Sequence, residues 1–344
     1  MKISTMGIDL AKNVFAIHGV DEAGNELVKR TLRRTQVLPF FRKLEPCLVG
    51  MEACASSHYW ARELTRLGYR VKLMPPAYVK PYVKRGKTDG ADAQACCEAV
   101  TRPSMRFVPV KDEAQQSVLG LHRARAALVG QKTQTANLIR SLCAEFGVIA
   151  AKGAAPLGDL AAMICNEKDT RLPADARLAL RPLVHHLEHL ARNIAALDCE
   201  IVSRSRSDES CRRLEAIPGI GPITASALIA TVGDAARFKT GRHFAAWIGL
   251  TRRANSTGGK DKGGPISKQG DQYLRRLLVQ GGAAVVRTVR NPRSSTASPW
   301  LRELLSRKKP KVTIVAQANK TARIAWAVLV KEQEYRADYA GAAK

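Results

Sequence analysis

The chain has 344 residues, with 56 Lys and Arg against 30 Asp and Glu, a net charge of +26. Such a length calls for two or three domains, and such a charge calls for a polyanionic partner, nucleic acid or a membrane surface. The absence of any apolar run near the ~20 residues of a spanning helix excludes a transmembrane protein, and the polar start lacks a secretory signal, so an intracellular protein is expected.

In chain order, residues 3 to 34 alternate as strands do. Ile3 to Asp9, Val14 to Val20 and Leu27 to Leu32, with a turn at residues 21 to 25, predict a three-stranded antiparallel meander. A helix from Gln36 to Leu44, a strand from Cys47 to Met51, a helix from His58 to Leu67, a strand from Arg70 to Met74 stopped by Pro75-Pro76, and a helix from Asp89 to Val100 follow. Three antiparallel strands and then alternating helices and strands describe an α/β domain with a mixed sheet, the element order of the ribonuclease H-like (RuvC-like) fold.

From Asp112 to Phe146 the pattern turns helical, and Ala150 to Asp159 is expected to be a loop. Leu180, Leu183, Leu187, Leu190, Ile194, Leu197 and Ile201 then alternate steps of three and four, as in a coiled-coil seam. Pro182 marks a helix start or kink, so the ladder is continuous from Leu183. A seam between two protomers is favoured over an internal helical bundle. The last third begins with a helix, a Pro218-Gly219-Ile220-Gly221-Pro222 turn and a helix over Leu214 to Asp234, a helix-hairpin-helix element in which Gly219 and Gly221 would leave backbone N–H groups free for phosphate. Residues 252 to 276 read as a Gly-rich basic loop leading into a helix, and residues 287 to 311 as a second basic, Ser-rich stretch that includes Arg287, Arg290, Arg293 and Arg302. The domain plan is therefore 1–108 (α/β), 109–208 (helical, dimerising) and 209–344 (helical, nucleic-acid-binding).

Eight cysteines without a Cys-x-x-Cys spacing point to reduced, buried thiols rather than a disulfide framework or a zinc site. His185 and His189 stand one helical turn apart, but on a leucine-rich helix they read as solvated side chains rather than ligands.

Four carboxylates carry the chemistry. Asp9 lies in Gly7-Ile8-Asp9-Leu10-Ala11-Lys12, Glu52 in Gly50-Met51-Glu52-Ala53, and Asp89 and Asp92 in Lys87-Thr88-Asp89-Gly90-Ala91-Asp92-Ala93. Asp9 sits inside an apolar strand, where an uncompensated charge is costly. Glu52 ends the next core strand, and Asp89 and Asp92 share a helix face at i and i+3. Converging acids raise one another's pKa, and divalent ions relieve the repulsion; all-oxygen ligation and phosphate substrates favour Mg²⁺ or Mn²⁺.

These three motifs resemble the acidic motifs of the DEDD transposases, the RuvC-like recombinases of insertion sequences that are guided by a bridge RNA. Ile217-Pro218-Gly219-Ile220-Gly221, Phe244 to Leu250, and Asn255-Ser256-Thr257-Gly258-Gly259-Lys260 through Ile266 to Asp271 resemble the family's C-terminal transposase domain, and the likeness runs from about residue 3 to 330 in the family's order. The resemblance implies RNA-guided DNA strand exchange that mobilises an insertion sequence. It also implies magnesium bound by Asp9, Glu52, Asp89 and Asp92, a guide RNA, double-stranded donor and target DNA, and a bacterial cytoplasmic protein associated with the nucleoid when active. Its serine nucleophile falls on Ser256, with Thr257 as the alternative one residue on and Ser267 third; a primary hydroxyl is the less hindered. Arg252 stands where family members often carry proline. A homodimer that assembles to a tetramer on DNA is expected, with Gly219, Gly221, Arg252, Arg253, Gly258, Gly259, Lys260, Lys268 and Arg275 as nucleic-acid contacts. The competing functions are a RuvC-like junction resolvase or ribonuclease H using metal-activated water, an actin-like ATPase, for which a second phosphate loop is missing, and a non-enzymatic RNA-binding protein.

Overall fold

The computed structural model describes residues 2–84, 86, 88–289 and 298–336. Two compact units divide it, residues 1–114 and 115–344. The expected boundary at 108 lies close to this division, whereas the one expected at 208 runs through the second unit.

The first unit is a three-layer α/β/α arrangement. Strands β1 (Thr5–Leu10), β2 (Val14–Val20) and β3 (Glu26–Arg33) form the antiparallel meander. The short helix α1 (Val37–Phe41) leads to β4 (Leu48–Glu52), and α2 (Ser57–Arg66) leads to β5 (Arg70–Met74). The sheet order is β3-β2-β1-β4-β5, with β1, β4 and β5 parallel. One turn of helix, α3 (Pro76–Val79), precedes α4 (Asp89–Ala99). A mixed sheet of this order is compatible with a ribonuclease H-like domain.

The period-two alternation of the strands explains the two faces. Met6 and Ile8 of β1, Phe15 and Ile17 of β2, Val49 and Met51 of β4 and Leu73 of β5 bury one face against Phe41 of α1 and Trp60 and Leu64 of α2. Each such fully buried side chain stabilises the fold by roughly 1.5–3 kcal/mol. The opposite face is covered by α4, through Ala95, Cys96, Ala99 and Val100 against Met74 and Val79.

In the second unit α5 (Glu113–Ala144), α6 (Ala154–Cys165) and α7 (Ala174–Ser207) share a core of Ala136, Ile139, Cys143, Leu160, Met163, Ile164, Leu180, Val184 and Leu187. Two expectations change here. Residues 154–165 are helical rather than loop, because Leu160, Met163 and Ile164 bury one face. The ladder is not a free seam: Leu180, Leu187, Leu190, Ile194 and Ile201 are buried within a single copy of the chain, the upper part by α5 and α6, while the lower part of the helix runs along its own chain's later helices. Helix α7 also begins before Pro182 and continues through it.

The rest of the unit comprises α8 (Glu209–Glu215), α9 (Pro222–Val232), α10 (Gly241–Ile248), the strands β6 (Arg252–Thr257) and β7 (Lys260–Ile266), then α11 (Gln272–Val289), α12 (Pro299–Arg307) and α13 (Pro310–Lys331). Leu214, Leu228, Phe244, Ile248, Leu274, Leu278, Ala318 and Ala322 form its largest core. A buried polar network ties the helices together. The His122 ring of α5, 1% exposed, has the Tyr273 hydroxyl 3.1 Å from Nδ1 and the Ser226 hydroxyl 3.1 Å from Nε2. Arg125 pairs with Asp198 of α7 and stands near the Tyr273 hydroxyl. Burial, and then the Arg125 charge, push the His122 pKa down to about 4, so the ring is neutral.

All the cysteines are free thiols, as expected, but Cys54, Cys165 and Cys199 are exposed rather than buried. His185 and His189 are exposed on α7, with the His189 ring against the Asn193 amide. No helix among the described residues is long and apolar enough to cross a membrane.

Candidate active site

Asp9 and Glu52 lie at the C-terminal ends of β1 and β4. The parallel register pairs Ile8 with Met51 and Gly7 with Gly50, so the two acids are next in line on neighbouring strands. Two residues before each acid, and therefore on the same face, stands a glycine. Both glycines are required by the close approach of α4. A Cβ on Gly7 would lie 2.0 Å from the Ala93 carbonyl oxygen and 2.3 Å from the Cys97 nitrogen; one on Gly50 would lie 2.7 Å from the Cys96 oxygen. The helix backbone thus rests directly on the sheet. Ala93 lies over Gly7, and the Cys97 thiol meets the Thr5 carbonyl, so α4 runs opposite to β1 and brings its N-terminal turn, with Asp89 and Asp92, toward Asp9. Thr88 caps that turn by accepting the Ala91 N–H.

The electrostatics register acids near one another. The Asp9 pKa is raised above its ordinary value, first by burial and then by the Asp92 and Asp89 charges, against a hydrogen bond from the Leu10 N–H. Glu52 is raised by burial, then by Asp9 and Asp92. Among the described residues none of the four acids forms an ion pair with Lys, Arg or His. The donor set is all oxygen, which suits a hard divalent cation. As they stand, no three His, Cys, Asp or Glu side chains among the described residues are grouped to hold one metal ion. Lys87, in the motif before α4, lies outside the described residues.

The second set of expected contacts lies in the other unit. The expected basic loop is a β-hairpin: β6 and β7 pair antiparallel, with Gly258 and Gly259 as a two-residue turn at φ of +56° and +76°. Positive φ at both central residues is what such turns require, hence two glycines. Every residue of β6 is exposed. Ser256 and Thr257 therefore project to opposite faces of the ribbon, Ser256 in register with Asp261 and Thr257 with Lys260. Arg252 donates from its guanidinium to the carbonyls of Gly263 and Gly264, and Arg253 to that of Ser267, so both brace the hairpin. Arg275 likewise donates to the carbonyls of Ile248 and Gln269. Lys268 is exposed in the left-handed backbone region, φ +55°, at the foot of the hairpin, its N–H donating to Gly249.

The helix-hairpin-helix turn is present, but Gly219 does not offer itself to phosphate. A Cβ there would lie 2.9 Å from the Gly281 carbonyl oxygen, and one on Gly281 would lie 1.8 Å from the Gly219 oxygen. Gly219 is thus used to seat the turn on α11, whereas the space around Gly221 is open. In the later basic stretch, Arg290 and Arg293 lie outside the described residues, while Arg302 is exposed on α12 and Arg287 is on α11. Sequence reasoning missed Gly7 and Gly50 as site-forming residues; an isolated glycine inside a strand is the available signal for close backbone approach.

Comparison with known proteins decides the family. A model of DEDD transposases of the IS110 type matches residues 6–146, which contain all four acids, and a model described as the transposase IS116/IS110/IS902 family matches residues 211–299, which contain the hairpin. The chain belongs to this transposase family. It is 50% identical to a probable family 20 transposase of Pseudomonas aeruginosa over 98% of this chain and 99% of that protein. It is 40% identical to the transposase for insertion sequence element IS1328 of Yersinia enterocolitica, over 95% of this chain and 96% of that protein. With the transposase for insertion sequence element IS1111A of Coxiella burnetii it shares 37% identity over 97% of this chain and 92% of that protein. The transposase is thus an enzyme of insertion-sequence mobility, and its substrate is DNA.

Proposed function

We propose that this transposase exchanges DNA strands under the direction of a guide RNA, using Mg²⁺ or Mn²⁺ held by Asp9, Glu52, Asp89 and Asp92 and a phosphoserine intermediate on Ser256. The observation that carries the proposal is that Asp9 and Glu52 end the adjacent strands β1 and β4 while the first turn of α4 carries Asp89 and Asp92 toward them, with no ion pair from Lys, Arg or His to any of the four among the described residues. Carboxyl ends of parallel strands are where open α/β sheets bind ligands. Asp89 is exposed and Asp92 half-buried, so both have rotamer freedom to turn toward Asp9 and Glu52. A divalent ion bound there would supply charge stabilisation at a reacting phosphate.

Ser256 Oγ attacks phosphorus, forming a P–Oγ bond as the P–O bond to one DNA strand breaks. The Oγ proton passes to a base and the departing oxygen gains one. Attack by the hydroxyl of the new strand then restores the serine. One phosphodiester replaces another, so the bond energy is conserved for rejoining. The exposed strand β6 and its Gly258-Gly259 turn allow close approach of a DNA backbone, with Lys260, next after the turn in the sequence, and Lys268, at the foot of the hairpin, as its phosphate contacts. Two strand cuts need at least two active centres, which supports assembly as a dimer and then a tetramer on DNA through surfaces other than the buried ladder. The net charge of +26 and the family resemblance support the guide RNA.

Purifying the protein from cells that carry its native flanking DNA, and sequencing the RNA that accompanies it, tests the guide. One discrete RNA transcribed from that flanking DNA is expected. Recovery of bulk cellular RNA alone would contradict it.

A further inference from the structure

At the other end of α4 the same face of the sheet is basic. Strand β5 alternates Arg70, Lys72 and Met74 onto the α4 side, and Met74 is buried there beneath the helix. Arg70 and Lys72 lie beyond the helix end, where the chain leaves α4 through Val100 and Arg102. There a cavity of about 940 Å³ opens at the N-terminal ends of β1, β4 and β5. Its lining includes Lys2, Arg70, Lys72 and Arg102, with Glu22 as the sole acid among the described residues. Lys2 is paired with Glu45 at 2.9 Å and Arg102 with Glu98 at 2.6 Å. Arg70 and Lys72 have no carboxylate partner among the described residues. Phe107 completes the wall. Its ring is 36% exposed and has the Lys72 ammonium 5.2 Å from its centroid.

We propose that this cavity is an anchoring site for a single-stranded segment of nucleic acid, with phosphates on Arg70 and Lys72 and an unstacked base against Phe107. The combination selects that ligand. Cations alone would suit any polyanion, but an exposed aromatic ring beside cations without carboxylate partners in a concave site is the arrangement that holds single strands. A duplex keeps its base faces stacked internally and cannot use the ring. The pocket and the carboxylates lie at opposite ends of a six-residue strand, roughly 15–20 Å apart at about 3.3 Å per residue. A strand anchored at the basic end therefore does not occupy the acidic one. The proposal relies on the nucleic-acid reading above only for the class of polymer, not for the serine or the metal.

The test uses the full-length protein and single-stranded RNA, single-stranded DNA and duplex DNA of equal length, each carrying 4-thiouridine or 4-thiothymidine. After irradiation, the site of attachment is mapped by mass spectrometry. Crosslinking to the peptide Phe107–Lys111 is expected from single strands and not from the duplex, and the ratio of the RNA and DNA arms identifies the preferred sugar. The double variant Arg70→Ala with Lys72→Ala should lower the slope of log affinity against log salt for single strands by about 1.4, two phosphates at roughly 0.7 each. Phe107→Leu should weaken single-strand binding about 5-fold or more while leaving that slope unchanged. Asp9→Asn should retain the crosslink, so failure of the metal site and failure of this anchor are distinguishable. Equal crosslinking by duplex, attachment only elsewhere, or an unchanged slope in a variant with unaltered thermal unfolding would overturn the proposal.

Discussion

Asp9 and Glu52 end adjacent parallel strands beneath a helix whose backbone touches the sheet, whereas Ser256 is carried on a two-stranded ribbon exposed along all of β6. The contrast follows from what each group has to do. Like charges held together repel, and only a scaffold that fixes both strands and helix keeps them converged; Gly7 and Gly50 serve that rigidity. The nucleophile proposed at Ser256 would instead have to reach a phosphate on a bulky polymer, and a ribbon braced by its own arginines offers reach with definite side-chain facing. In one region glycines allow two elements to touch. In the other they turn a chain outward.

That contrast can be broken at several points. The largest effect is expected from Asp9→Asn or Glu52→Gln, which should lower strand exchange on the order of 10³-fold or more while nucleic-acid affinity stays within a few-fold. In thermal unfolding, Mg²⁺ should stabilise the wild-type protein relative to EDTA, and Asp9→Asn should abolish that gain. Full exchange by Asp9→Asn would remove the acids from the chemistry.

Leu187→Glu places a charge at a position 7% exposed in the α5–α6–α7 core. It should cost about 3–5 kcal/mol and lower the melting temperature sharply. A fully stable variant with only its oligomeric mass reduced would return the ladder to a seam between protomers.

Gly7→Ala sharpens the claim about rigidity. The added methyl meets helix backbone, which has no rotamer by which to yield, so a loss of about 3 kcal/mol is expected together with loss of exchange. Unchanged stability and activity would mean that α4 can lift from the sheet without consequence.

The smallest effect concerns His122. Its ring titrates near 6.5 in the unfolded chain and near 4 in the fold. The unfolded state thus binds more protons between those values. The neutral ring's contribution is complete above about pH 6.5 and is lost as pH falls toward 4, by no more than about 3 kcal/mol. His122→Gln should flatten the melting-temperature profile across that window, and an unflattened profile would place the acid sensitivity elsewhere.

The sequence was informative where local pattern and local structure coincide. Alternation in residues 3 to 34 marks the meander because Met6, Ile8, Phe15 and Ile17 point to one buried face, and Asp9 falls at the end of the first of those strands. It failed where covering surfaces come from distant residues. Steps of three and four along α7 give the apolar stripe but do not say whether α5 and α6 or a second protomer covers it. Gly219 looks like a phosphate cradle until Gly281, far along the chain, is seen against it. Strand β6 lacks apolar alternation because all its residues meet solvent, yet Gly258-Gly259 between two short polar runs is a turn signal. Helix α6 hid in an Ala- and Gly-rich stretch, where Leu157, Leu160 and Ile164 carried the period.

The most direct test of the shared chemistry is to trap the protein on its DNA substrate under denaturing conditions and identify the modified residue by mass spectrometry. A covalent adduct on Ser256 is expected, absent in Ser256→Ala and in Asp9→Asn and retained in Thr257→Ala. An adduct that survives Ser256→Ala, or exchange that proceeds with no adduct on any residue, would contradict the account.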